Sequence, residues 1–448
     1  MVPRILREKG ISFARIRSHL LNSWSMSWPM IFIMLFDFLI NLTDVFIAGK
    51  IGKEVQASVG FVSQVYFIFI VIANALTVGT VTTVSRLAAS TDRDALRSTI
   101  YSVLVATLAA GFLLSVGGYF MLAPVIRMIG VPEVVKEYGI PLVEIYACGL
   151  VSHYFLINTN GILRANRMVK QSMITMACVC VINVALNFVL VFCTPLGFKG
   201  IALSTALSYL TGALINALMV KKLFTGTRRF SMEIVRKVAA IGWPAGLLQI
   251  MWQLGSAMLF IILGRLPERS VEVLAAFTNG LRIESAIFMP AFAFNMANAV
   301  IVGNLMGEGR KKDAFRGGLV TAAIGVGIIA VLTLLVVLNA RTLSGFLSGH
   351  DAVVSESVRY LYISMASEPF MAWAVIIGGA LNGAGDTRGV MKIVSFSQWI
   401  VRLPLAYMLG IVLGLGPAAV WWSMNASILV HFALITRRYI RGRWVHYA

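Results

Sequence analysis

Charged side chains fall in clusters along this chain, and long uncharged apolar runs separate the clusters. No Asp, Glu, Lys or Arg occurs between Glu54 and Arg86, Arg97 and Arg127, Lys170 and Lys199, Lys237 and Arg265, Glu284 and Glu308, or Arg316 and Arg341. Each run exceeds the roughly 20 residues that carry a helix across about 30 Å of hydrocarbon. Helices are the expected element because lipid offers no partner to a backbone N–H or C=O. The pattern predicts an all-α, polytopic membrane protein. About twelve spans are centred near residues 37, 72, 110, 150, 182, 210, 251, 288, 328, 370, 402 and 427.

Composition sharpens this reading. Only 13% of the residues are charged and 58% are hydrophobic, against about 25% charge in an average soluble domain. The net charge of +19 raises the question of a nucleic-acid partner, but the distribution excludes one. Of the 38 Lys and Arg, alternating loops place 27 on the side of the N-terminus and nine on the other, and only Arg282 and Arg402 fall inside spans. That asymmetry follows the positive-inside rule, so both termini are expected in the cytoplasm, in a cytoplasmic (inner) membrane. Residues 1–23 lack the apolar core of a cleavable signal and read as a basic amphipathic cytoplasmic segment. Cys148, Cys178, Cys180 and Cys193 lie in apolar stretches with no metal-binding spacing, and read as small core residues.

The chain repeats itself. Trp28–Pro29 opens span one and Trp243–Pro244 opens span seven, and Gly49–Lys50 falls over Gly264–Arg265. "GILRANRMVKQSM" at 161–173 falls over "GALNGAGDTRGVM" at 379–391, and the same offset places Thr205 on Ser423. A six-span half starts and ends on one side of the membrane, so the two halves enter in the same sense. Parallel repeats of this kind mark transporters. The expected organisation is an N-terminal bundle at 24–222, a basic cytoplasmic linker at 223–236, a C-terminal bundle at 237–436 and a basic cytoplasmic tail at 437–448.

No ATP-binding loop or hydrolase motif is present in the sequence, which points away from an enzyme. No cofactor is expected beyond a coupling ion, H⁺ or Na⁺. An ionisable residue inside a span is costly and therefore a functional candidate. Asp37 and Asp44 are seven apart and share a face of span one, while Asn183 and Asn187 share a face of span five. With Asn160 at the end of span four and Thr205 in span six, these residues can form an oxygen-rich pocket around Asp44. Such a pocket can exchange a proton or hold a hard cation such as Na⁺. The neutral residues can equally serve as glue between helices. In the second half, Arg282 and Glu284 are two apart and point to different sides. Glu368 and Arg402 are their obvious partners, giving a possible charged cluster.

The chain resembles the multidrug and toxic compound extrusion (MATE) family over nearly its whole length. The marks are Pro29 with "LTDVFIAGKIG" at 42–52, "GILRANR" at 161–167, residues 280–314, and "GALNGAGDTR" at 379–388. The resemblance implies two six-helix bundles that export lipophilic, often cationic compounds in exchange for Na⁺ or H⁺. In the DinF-like branch it implies a coupling site at Asp44, Asn160, Asn183 and Thr205. Members often carry a second Asp where this chain has Asn187, so one charge is missing, and Asp37 can compensate. Where other members carry a Glu early in span seven, this chain has Gln249, Trp252 and Gln253.

The expected function is a secondary antiporter for small amphipathic or cationic molecules, acting as a monomer in the lipid bilayer. A lipid-linked precursor flippase is the alternative, disfavoured by having only two intramembrane arginines. A membrane-embedded enzyme or scaffold is a third reading, and it lacks a catalytic constellation. The basic asymmetry yields a direct test. A reporter active only in the cytoplasm, fused after Ala448, should give full signal, and a silent, stably expressed fusion would overturn the topology.

Overall fold

A computed structural model describes residues 13–128, 132–223, 229–267 and 269–446, with the side chains of 13–16, 443 and 446 left aside. The described residues are helical throughout, with no strand among them. The helices are α1 (Phe13–Ile51), α2 (Lys53–Ala89), α3 (Arg93–Met128), α4 (Glu133–Ala165), α5 (Val169–Phe192), α6 (Lys199–Lys221), α7 (Met232–Gly264), α8 (Ser270–Gly307), α9 (Lys311–Leu338), α10 (Ala340–Leu347), α11 (Asp351–Met365), α12 (Glu368–Gly383), α13 (Thr387–Ser395), α14 (Leu403–Tyr407) and α15 (Pro417–Ile440).

Ten of these, α1 to α9 and α15, are long and apolar enough to cross a membrane. The tenth crossing in chain order is broken. α11 and α12 meet at 53°, and Pro369 lies in the first turn of α12, where its missing N–H costs nothing. The eleventh is a continuous winding from Thr387 to Val412 in which α13 and α14 alternate with π-helical stretches at Phe396–Arg402 and Met408–Val412. By length and apolarity the described residues thus hold ten such helices, or eleven with the bent pair as one, and the winding occupies the stretch where the sequence places a span near residue 402. Of the basic N-terminal segment, residues 1–12 lie outside the described residues, and from Phe13 onward it is the first part of α1 itself. Part of the linker, 224–228, also lies outside them.

The chain forms two compact units, Phe32–Gly246 and, separately, Met1–Ile31 with Leu247–Ala448. The division falls inside α1 and α7, shortly after Pro29 and Pro244, rather than at the linker. In the Phe32–Gly246 unit α4 is central, packed on α2, α3 and α6. In the other unit α8 and α12 pack closely, with α9, α11 and α15 around them.

The repeat seen in the sequence is a repeat of backbone. α4 ends with the amide of Met168 donating to the carbonyl of Leu163 (2.9 Å) and that of Arg167 to Arg164 (3.0 Å). α12 ends with Asp386 donating to Leu381 (2.8 Å) and Gly385 to Asn382 (2.9 Å), at positions 218 residues further on. Both are Schellman stops, which need a left-handed residue. Gly385 supplies it at φ 81°, whereas in the first half Arg167 adopts φ 63°. The paired glycines also recur. Gly161 of α4 sits against Thr77 and Val81 of α2, and Gly379 of α12 sits against the backbone of Asn295 in α8. One turn on, a Cβ at Gly383 would collide with the carbonyl oxygen of Ala299. Small residues let membrane helices approach this closely.

Of the cysteines, Cys180 is buried but Cys148 and Cys193 are exposed on the helix surface, so they are not all core residues as expected. The apolar core of the first-half unit includes a small cluster at Ala73, Leu150 and Tyr154 and two larger layers. One holds Ile47, Val62, Leu142, Val191 and Ile201, and the other holds Val84, Ile100, Ile162 and Val220.

The glycine contact gives a stability prediction. Gly383→Val should force α12 off α8 and lower stability by about 1–3 kcal/mol, read as a lower thermal midpoint in detergent. Gly327→Ala, where nothing lies within 4 Å, should be neutral or slightly stabilising. Equal midpoints for wild type and Gly383→Val would refute the close-approach argument.

Candidate functional site

Four helices of the first-half unit converge on one carboxylate. Asp44 of α1 is 6% exposed. Its Oδ1 accepts from Asn187 Nδ2 of α5 (2.8 Å) and its Oδ2 from Thr205 Oγ1 of α6 (2.8 Å). Tyr146 Oη of α4 reaches the same Oδ2 at 3.4 Å. Asn183 Nδ2 donates to Thr205 Oγ1 (3.0 Å), and Asn187 Nδ2 also approaches Asn183 Oδ1 (3.2 Å). Asn183, Asn187 and Thr205 are all buried. The donors are neutral, and among the described residues no Lys, Arg or His forms an ion pair with Asp44. Asn187 Oδ1 is buried with no donor. An apolar layer closes one end of this group. Ile47, Val143, Val191 and Ile201 belong to one cluster and stand about one turn from Asp44, Tyr146, Asn187 and Thr205.

Asn160 is not part of it. Its Oδ1 accepts from Ser172 Oγ and Asn216 Nδ2 (2.9 Å each). Asn216 also donates to Thr159 Oγ1 (3.0 Å) and accepts from Thr175 (2.9 Å). This is a separate polar layer nearer the other end of α4, α5 and α6, where Asn160 locks helices together. Asp37 makes no hydrogen bond within this group but shares Tyr209 with Asp44 as a neighbour. It is exposed, and its carboxylate lies towards Tyr66 and Tyr209.

The residues that sequence reasoning missed are aromatic. Tyr66 Oη pairs with His153 Nδ1 (2.8 Å), and His153 stacks on Tyr209 at 3.9 Å between centroids. Tyr66 also lies 5.2 Å from the Tyr146 ring. Tyr146 and His153 are seven apart on α4 and so share a face, which was the available signal.

In the second-half unit the structure brings together Glu284, Glu368 and Arg402 with Tyr360. Glu284 and Glu368 are buried, at 5% and 2% exposed. Tyr360 Oη donates to Glu284 Oε1 (2.7 Å), Arg402 Nε donates to Ser427 Oγ (2.9 Å), and the guanidinium lies 5.8 Å from the Trp252 ring centroid. Arg402 closes the first π-helical stretch, and Gly255 of α7 leaves room beside it for Gln398. Arg282 is exposed and outside the cluster, as its separation from Glu284 by two residues on a helix requires.

Both arrangements suit a carrier: each holds buried carboxylates, with neutral donors around Asp44 and with Arg402 beside Glu284 and Glu368. Comparison with known proteins agrees. A family model described as MatE matches residues 29–189 and again 244–408, so each copy begins at one of the two repeat-opening prolines. A transporter of Bacillus subtilis (strain 168), YisQ, is 24% identical over 94% of both chains. The probable multidrug resistance protein NorM of Bradyrhizobium diazoefficiens is 26% identical, covering 96% of this chain and 95% of its own. The solved structure of the Vibrio cholerae MATE transporter VcmN in its bent form superposes with a TM-score of 0.89 at 19% identity, over 96% of this chain and 98% of the other. A MOP superfamily transporter from Pyrococcus furiosus gives a TM-score of 0.85 at 19% identity, over 97% and 98%. With both halves matched by the family model and the twelve-helix fold in place, the chain belongs to the MATE family of multidrug efflux transporters.

Proposed function

We propose that this transporter is an antiporter that exports lipophilic or cationic small molecules against an inward flow of H⁺, with Asp44 carrying the ion. The observation that supports this is the isolation of Asp44: a buried carboxylate held by neutral donors. A group with a fixed cationic partner would be locked in one charge state, whereas this one can gain and lose a proton as the pocket opens and closes. When Asp44 takes up a proton, the amide of Asn187 can turn and present its unpartnered Oδ1 as acceptor. Na⁺ would use the same oxygens weakly, because one carboxylate supplies a single charge and the second acid of DinF-like members is replaced by Asn187. Both termini face the cytoplasm in this reading, and the transporter acts as a monomer.

Dye efflux from inverted vesicles, energised separately by a pH gradient and by a Na⁺ gradient, tests the coupling. Asp44→Asn keeps the shape of the site, so the protein should fold with stability within about 1 kcal/mol of wild type. It should lose gradient-driven efflux while retaining part of its substrate binding. Asp37→Asn should cost less. Asn187→Asp should move the pH dependence of transport or increase its response to Na⁺. Wild-type rates for Asp44→Asn under both gradients would refute the assignment and turn attention to Glu284, Glu368 and Arg402.

The second cluster has its own signature. Arg402→Leu removes the cation between two buried carboxylates and should lower stability by about 3–5 kcal/mol. Arg282→Gln, on the exposed surface, should stay within about 0.5 kcal/mol of wild type. Thermal midpoints measured side by side check both, and a large loss for Arg282→Gln would contradict the geometry.

A further inference from the structure

The end of α15 carries a cavity that the transport reading does not use. It has a volume of about 340 Å³ and is lined by Asp386, Ile393, Leu434, Arg437, Arg438, Arg441 and Trp444. Leu434, Arg437, Arg438 and Arg441 are spaced to share one face of a helix end. Asp386, at the start of α13, engages Arg438 through two bonds, Nε to Oδ2 at 2.5 Å and Nη2 to Oδ1 at 2.7 Å. That pair fixes Arg438 as part of the wall. Arg437 and Arg441 are exposed and have no acidic partner among the described residues.

The opposite wall is rigid. Gly442 turns the chain at φ 64° and returns Trp444 beneath α15, where the indole is 1% exposed. Trp444 Nε1 donates to the Tyr439 carbonyl (2.9 Å), and the two rings stack at 5.0 Å. Tyr439 in turn stacks on Phe315 of α9 at 5.0 Å and donates to its carbonyl (2.9 Å).

The internal repeat shows that this cavity is an acquisition of one half. Counting back by the 218-residue offset, Asp386, Arg437, Arg438 and Arg441 correspond to Met168, Met219, Val220 and Leu223. Those four residues belong to the apolar cluster at the end of α4 and α6. The same backbone position is thus packed core in one half and a charged, open cavity in the other. Positive-inside bias alone asks for basic residues near the helix end; it does not ask for a buried acid that orients one arginine, or for an aromatic floor.

We propose that this cavity binds a phosphate group, received by Arg437 and Arg441 and braced by the Asp386–Arg438 pair. Guanidinium groups bind phosphate oxygens in forked geometry. Ile393 and Leu434 on the wall, at the end of a membrane-crossing helix, suit the glycerol and first methylenes of an anionic phospholipid. A free phosphate shares the recognition chemistry but leaves that apolar wall unused. The site is independent of the coupling assigned to Asp44.

The test uses the full chain purified in neutral detergent, with phosphatidylglycerol, phosphatidylcholine and inorganic phosphate as separate probes. Native mass spectrometry reads retained lipid, and thermal unfolding reads the stabilisation. Arg437→Gln with Arg441→Gln should weaken phosphatidylglycerol retention about thirtyfold and leave the Asp386–Arg438 pair intact. Lys at both positions should restore part of it. Lys221→Gln with Lys222→Gln, an exposed basic pair at the end of α6, should leave retention unchanged. If inorganic phosphate raises the midpoint equally and displaces the lipid, the phosphate site stands with a soluble occupant. Equal retention by wild type and the double arginine variant, or equal loss in the Lys221/Lys222 variant, overturns the proposal and leaves only diffuse surface charge.

Discussion

Inside hydrocarbon, a polar group without a partner costs several kcal/mol, because no water can replace the bond it lost. Every other feature of this protein answers to that cost. It makes the described chain helical, and it drives charges out of the crossings into clusters at their ends. It also explains why the polar residues that stay inside come in groups. Asp44, which has no cationic partner among the described residues, is bonded to Thr205, Asn187 and Tyr146, and Asn160 to Ser172 and Asn216. A single polar substitution in such an interior has no tolerable intermediate, so function there is held by sets of residues from several helices.

The duplication gave the protein two copies of one scaffold, and the interiors have since diverged. By the 215-residue offset of the leading spans, Asp44 corresponds to Leu259, and by the 218-residue offset Asn187 corresponds to Leu405. In the opposite direction, Glu284, Glu368 and Arg402 correspond to Phe69, Leu150 and Val184. What the halves retain in common is the machinery of close packing, including the glycines of α4 and α12 and the helix stops that follow them. Packing contacts involve backbone and are hard to change singly, whereas a polar cluster can be replaced by apolar side chains of similar volume.

The architecture was legible in the sequence because hydrocarbon thickness writes itself directly into the spacing of charges. The break before α12 was not read from the sequence, where one span centred near 370 was expected, although Pro369 stands in the first turn that follows it. The site was only partly legible. Asn183, Asn187 and Thr205 could be placed with Asp44 from helical spacing and family resemblance. Asn160 could not be told from them, because distance along a helix axis from a residue on another helix is not encoded in one-dimensional spacing. Tyr146 and Tyr360 escaped notice because a tyrosine in a span reads as apolar bulk, although each hydroxyl in fact faces a buried carboxylate. The same limit hid the cavity at Asp386, whose partner arginine lies 52 residues further on.

The winding from Thr387 to Val412 carries one further consequence. Each π-helical turn accommodates a residue more than an α-turn does, and the helix beyond it is rotated by about 100° relative to an unbroken one. The eleventh crossing has two such stretches, with the five residues of α14 between them. The stripe of side chains facing its neighbours therefore spirals around this segment instead of running straight along it. Gln398 can reach α7 while Arg402 reaches Ser427 of α15. A wide turn can also migrate along a helix by passing hydrogen bonds from one carbonyl to the next, leaving both ends of the segment where they were. Such a travelling defect would turn a few side chains, Arg402 among them, without displacing a whole helix.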